Sequence, residues 1–116
     1  IIGNNVSINF NCHFGAINKI IIKDNVLIGS NVFITDHSHG DTAKETLKLP
    51  PKNRKLFSKG PVIIEENVWI GENVCILPDV TIGKNSIIGA NSVVTKNIPS
   101  NVVAAGNPAK IIKQLL

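Results

Sequence analysis

The sequence predicts an all-β chain folded as a parallel β-helix of hexapeptide repeats. Three observations carry that expectation: a six-residue period, an Asn or Asp at one fixed position within it, and an aliphatic residue leading each copy. The phrase reads aliphatic, often Gly, any residue, Asn, then Val or Ser, then anything. A fixed hexad marks a solenoid in which each copy is one short wall. Strand alternation alone gives a period of two and an amphipathic helix one of about 3.6, so neither explains six.

Two copies open the chain, from Ile2 and Ile8, and two regular ones follow from Ile22 and Ile28. After an interruption the phrase returns in register from Ile64, Ile70, Ile76, Ile82 and Ile88, with a looser copy from Val94. The fourth position is Asn at 5, 11, 25, 31, 67, 73, 85, 91 and 97, and Asp at 79. Asn and Asp tolerate positive φ better than other side-chain-bearing residues and bond nearby backbone, so each copy should end in a turn. The leading aliphatic and the fifth-position Val, Ser or Cys then point inward, and three walls per coil make a triangular prism. Between Phe14 and Ile22 the register slips by two, which predicts a small bulge at a corner within residues 15–21. The larger break, about 36–61, is a long loop excursion without hexads, and loops of that length in compact domains are commonly functional. After Ile98-Pro99 the repeat is expected to end, with Ala109–Leu116 a short C-terminal helix or strap.

At 116 residues the chain reads as one domain, 1–116. It opens inside a repeat, and solenoids need capping segments, so an upstream segment is expected. No signal-peptide core or long apolar span is present, membrane insertion is not expected, and a cytoplasmic setting is. Cys12 falls at an inward fifth position and Cys75 at an outward sixth one, which is no disulfide framework. The net charge is +4, and the loop after Gly40 supplies six cations against Asp41 and Glu45. One Trp and four Phe offer few stacking partners for nucleic acid, so a small anionic ligand or cofactor suits the charge better.

The hexads, Thr35-Asp36-His37-Ser38-His39-Gly40, Val68-Trp69-Ile70-Gly71 and the tail Asn101-Val102-Val103-Ala104-Ala105-Gly106-Asn107-Pro108-Ala109-Lys110 resemble the hexapeptide-repeat acyltransferases. Within them the chain is similar to bacterial sugar and polysaccharide O-acetyltransferases of the maltose, galactoside and capsule-modifying kind. The resemblance covers nearly the whole chain. It implies a left-handed β-helix, an exception to the right-handed crossover rule. It also implies a homotrimer, acetyl-CoA as acyl donor in the clefts between subunits, and a sugar or glycan acceptor.

Moving acetyl from a thioester to a sugar hydroxyl requires a base, because the hydroxyl holds its proton far above neutral pH; His is suited to that task. His37 takes the fourth position of the copy from Ile34, where regular copies carry Asn or Asp, and it stands where the chain leaves the prism. It also matches the family's catalytic His. His39 reads equally as a loop residue or as an acceptor contact, and His13 as a surface residue. The resemblance assigns Asn9 to the acceptor and places Trp69 beside the active site at the subunit boundary. Gly29, next to the break, is a candidate backbone donor to the reacting oxygen.

The resemblance carries Ala90, Thr95 and Lys96 over as contacts along acetyl-CoA. Lys110 and Lys113 stand at basic tail positions where the family often has Arg; they can neutralise phosphate without the bidentate fork. Glu72 departs from relatives that carry a small residue there. Two other readings remain. A zinc hydratase on the same fold would use Asp36, His37, His39 and His13, although their spacing fits poorly. A non-catalytic trimeric β-helix module would bind no acetyl-CoA and would tolerate loss of His37.

Overall fold

The computed structural model describes residues 1–116. Before the break lie β1 (Ser7–Ile8), β2 (His13–Gly15), β3 (Ile20–Ile22), β4 (Leu27–Ile28) and β5 (Phe33–Thr35). The excursion carries β6 (Ser38–His39), α1 (Lys44–Leu47) and β7 (Leu56–Phe57). The coils resume with β8 (Val62–Ile64), β9 (Trp69–Ile70), β10 (Cys75–Ile76), β11 (Thr81–Ile82), β12 (Ile87–Ile88) and β13 (Val93–Val94). They close with β14 (Val102–Gly106) and β15 (Ala109–Gln114).

Three parallel walls stack along the axis. One runs β1, β4, β9, β12, β14; the second β2, β5, β10, β13; the third β3, β8, β11. Trp69 pairs with Ile87, so a regular coil takes the 18 residues from 69 to 87. Every leading Ile from Ile22 to Ile88 and the fifth-position Val26, Val32, Val68, Val74 and Val80 are essentially inaccessible to water. Each such side chain contributes about 1.5–3 kcal/mol by leaving water. The inward serines are also satisfied: Ser86 Oγ donates to the Pro99 carbonyl at 2.6 Å and Ser92 Oγ to the Gly89 carbonyl at 2.7 Å.

The corners form as the Asn pattern predicts. Asn5, Asn11, Asn25, Asn31, Asn67, Asn73, Asp79, Asn85 and Asn91 all have φ between 56° and 66°. Asn97 does not join them; Asn101 does, with φ 61°. The physical reason is a coil shortened by two residues. Val94 and Ile98 are four apart yet both buried, and Ile98 bridges the leading Ile82, so Ile98 opens one further copy with its corner at Asn101. The repeat therefore continues past Pro99.

Two further expectations are corrected. Residues 109–114 are a strand, not a helix: β15 pairs antiparallel with β14 and closes the edge of the first wall, as β-branched Ile111-Ile112 favours. The excursion is also not structureless. β6 and β7 form an antiparallel pair, Ser38 opposite Phe57 and His39 opposite Leu56, with one helical turn and a 3-10 turn at Pro51–Asn53 between them. The bulge expected within 15–21 is present between β2 and β3. No helix is long and apolar enough to cross a membrane.

Candidate active site

The chain leaves the second wall at Thr35, and that departure builds the site. Asp36 is fully buried, with its carboxylate turned into the corner bulge. Oδ1 accepts the Ile17 N–H at 3.0 Å; Oδ2 accepts those of Asn18 and Lys19 at 2.7 Å each. Asp36 Oδ1 also lies 2.9 Å from Nδ1 of His37. Burial pushes this carboxyl up, but the N–H of Ile17, the His37 ring and the N–H groups of Asn18 and Lys19 outweigh it, so its pKa lies below the ordinary carboxylate value. An ionised carboxylate only accepts hydrogen bonds. Nδ1 of His37 therefore carries a proton toward Asp36, and in the neutral ring Nε2 is the nitrogen with the lone pair.

Thr35 fixes the backbone of the same residue: its hydroxyl donates to the His37 carbonyl at 3.0 Å and accepts the His37 N–H at 3.3 Å. Below the ring sits Gly15, where a Cβ would approach His37 Cε1 to 3.2 Å and His13 Nε2 to 3.6 Å. The absent side chain is what seats the imidazole. It also shows that His13, read as a plain surface residue, is exposed but shares this space with His37. Its ring packs against Phe33, centroids 5.4 Å apart.

His37 opens onto a cleft of about 430 Å³ that descends the corner through successive coils. Ser38, Asp41, Phe57 and Lys59 form the hairpin side, Leu77 and Pro78 the next coil, and Thr95 the one after. Thr95 thus shares the cleft with His37, and Lys96 follows it in an exposed position. His39 does not line the cleft; it is exposed on β6.

The other candidates lie at a different corner. Asn9, Gly29 and Ala90 follow β1, β4 and β12, at the opposite end of the second wall from His37. Asn9 is exposed, and its Nδ2 donates to the Ile28 carbonyl at 3.2 Å. Gly29 is corrected: it is buried, and its N–H already donates to the Ile70 carbonyl at 2.8 Å, so it has no donor left for a reacting oxygen. A Cβ there would meet Glu72 at 2.9 Å, so the Glu72 side chain covers it. Trp69, 50% exposed, stands outward on the first wall between Leu27 and Ile87. Ala90 is exposed, and its N–H sits so close to Gly71 that a Cβ at 71 would approach it to 2.9 Å. Lys110 and Lys113 are exposed on β15.

Lys96, Lys110 and Lys113 are in no ion pair; Lys23 pairs with Glu65, and Asp36 holds the His37 ring. Asp36, His37, His39 and His13 do not gather into a ligand cluster, and no three His, Cys, Asp or Glu side chains converge anywhere. Sequence reasoning missed Asp36 as the partner of His37. The available signal was an acid immediately before the candidate base, together with a register slip that needed something to cap it.

Residues 61–96 match the bacterial transferase hexapeptide (six repeats) family. The chain is 46% identical over 114 residues to the galactoside O-acetyltransferase of Escherichia coli K12, covering 98% of this chain and 53% of that protein. A hexapeptide-repeat-containing acetyltransferase of Vibrio cholerae O1 biovar eltor, solved in complex with acetyl coenzyme A, superposes with a TM-score of 0.87 at 35% identity, over 99% of this chain and 60% of its own. A maltose O-acetyltransferase of Clostridium difficile 630 superposes with a TM-score of 0.70 at 35% identity, over 100% of this chain and 67% of its own. The chain spans about half the length of the curated relatives it matches. Period, corner geometry and these likenesses agree: the chain belongs to the hexapeptide-repeat acyltransferase family.

Proposed function

We propose that the chain carries the catalytic β-helix of an acetyl-CoA-dependent O-acetyltransferase that acts on a sugar or glycan hydroxyl. The coil would be left-handed and the assembly a homotrimer. One observation carries the reading: His37, its Nδ1 2.9 Å from the buried Asp36 carboxylate, stands at the mouth of a cleft that descends to Thr95.

The chemistry follows from that geometry. Acetyl-CoA supplies the acetyl group as an activated thioester. Nε2 of His37 takes the proton from the acceptor hydroxyl as its oxygen bonds the acetyl carbon, and returns that proton to the sulfur as the carbon–sulfur bond breaks. Asp36 holds the tautomer and stabilises the imidazolium between the two transfers. Ser38, next to His37, donates its hydroxyl to the Gly40 carbonyl at 2.8 Å rather than to the ring, and no Cys lines the cleft, which supports direct transfer.

The residues present fit acetyl-CoA. Thr95 lines the cleft below the base, and Lys96 follows it in an exposed position. Lys110 and Lys113 offer cations without ion-pair partners for phosphates. The separation of Asn9, Trp69 and Ala90 from His37 across one wall supports the trimer, since a second copy presenting that corner would complete the site.

The deciding experiment is calorimetric titration with acetyl-CoA, with metal analysis of the same sample, followed by thiol release in the presence of maltose or a galactoside. Micromolar binding and acceptor-dependent release support the reading. No binding, with zinc at one per chain, would replace it with the hydratase.

A further inference from the structure

Six cations, Lys44, Lys48, Lys52, Arg54, Lys55 and Lys59, stand on the excursion, and none is in an ion pair. Their placement is uneven. Lys59 lines the cleft that His37 opens onto. Lys55 lines a second cavity of about 390 Å³, which shares Gly40, Asp41 and Phe57 with the first. The two cavities therefore adjoin across the hairpin, each with one lysine, Lys59 in the cleft that His37 also lines. Asp41 also faces this space. Its Oδ1 is engaged by the Ala43 N–H at 2.9 Å and the Thr46 hydroxyl at 2.7 Å, and the two lysines outnumber it.

We propose that the acceptor is an acidic glycan: Lys59 receives the carboxylate of the sugar being acetylated, and Lys55 that of its neighbour. The proposal rests on the reading of His37 as the base, which marks where the reacting hydroxyl lies. A carboxylate on a hexuronic or sialic acid sits within one sugar ring of its hydroxyls, so a base and a carboxylate-binding cation must share one cleft, as His37 and Lys59 do. The phosphates of coenzyme A are separated from the reacting sulfur by the whole pantetheine arm. Cations in the same cleft as the base are therefore placed for the acceptor, while Lys110 and Lys113 lie elsewhere for the phosphates. Two cationic cavities in succession suit an oligomer better than a single sugar.

The test reads binding, independently of turnover. Trigalacturonate and maltotriose are titrated into the wild-type protein and into the Lys55→Glu/Lys59→Glu double variant, at low and at raised salt, with acetyl-CoA titrated in parallel. The wild type should bind trigalacturonate about tenfold or more tightly than maltotriose, as charge-assisted hydrogen bonds imply. That preference should weaken with salt, because exposed charges are screened. The double variant should lose the preference and keep its affinity for acetyl-CoA. Equal binding of the two trisaccharides by the wild type, or binding of neither, overturns the proposal. So does a double variant that keeps the preference but loses acetyl-CoA affinity, which would assign the lysines to phosphate. Selective binding of trigalacturonate without acetyl transfer to any acceptor would leave the glycan site standing and sink the transferase reading alone.

Discussion

Asp36 Oδ1 lies 2.9 Å from His37 Nδ1, and the same carboxylate holds the N–H groups of Ile17, Asn18 and Lys19. One buried side chain thus ties a corner of the first coil to the residue that opens the cleft. The geometry couples the stability of the bulge to the orientation of the His37 ring.

Replacing Asp36 should therefore cost both stability and activity. Asp36→Ala removes the charge-assisted bonds from three part-buried N–H groups to this buried carboxylate, at a cost of about 2–4 kcal/mol, read as a lower urea midpoint. Because the native pKa is below the ordinary carboxylate value, the charge contributes stability that is fully present above the unfolded-chain value. That contribution is lost as pH falls through the native one. Asp36→Asn should flatten the acid limb of the stability profile relative to wild type. An unaltered limb would show that the carboxylate is not ionised in the fold.

His37→Ala should lower acetyl transfer by about two to four orders of magnitude with the coil intact by circular dichroism. His39→Ala, exposed and outside the cleft, should affect the acceptor KM more than kcat. A large kcat loss in His39→Ala with His37→Ala still active would move the base two residues along the chain.

Gly15→Ala tests the seating of the ring. The new methyl would approach His37 Cε1 to 3.2 Å, so the imidazole must shift to admit it. Small displacements of a reacting group can cost about 100-fold, so kcat should fall by about 10- to 100-fold while the KM for acetyl-CoA holds. Full activity would mean that the position of this ring does not limit transfer.

The corners give a test of the fold that leaves the site alone. Asn73 has φ 58°, a conformation Gly adopts freely and β-branched residues resist. Asn73→Gly should stay within a few tenths of a kcal/mol of wild type, whereas Asn73→Val should lose about 1–2 kcal/mol. Equal thermal midpoints for the two variants would remove the argument that Asn is there for its backbone.

Much of this molecule is written locally. The hexad determined the coils, the Ile and Val core and nine of the positive-φ corners, because a strand and a turn of two or three residues each depend on immediate neighbours. The Thr-Asp-His motif at the break marked the site for the same reason. What only the tertiary structure decided involves residues far apart in sequence. Asp36 reaches Ile17, Asn18 and Lys19 one coil earlier, and Gly15 makes room for His37. The N–H of Gly29 is taken by Ile70, and Thr95 joins His37 in one cleft while Asn9 and Ala90 remain at another corner. The shortened coil that exchanges Asn97 for Asn101 belongs here too, since both registers read plausibly until Ile98 stacks on Ile82. Stacking brings residues a whole coil or more apart in sequence into contact, and a local repeat cannot say which partners meet there.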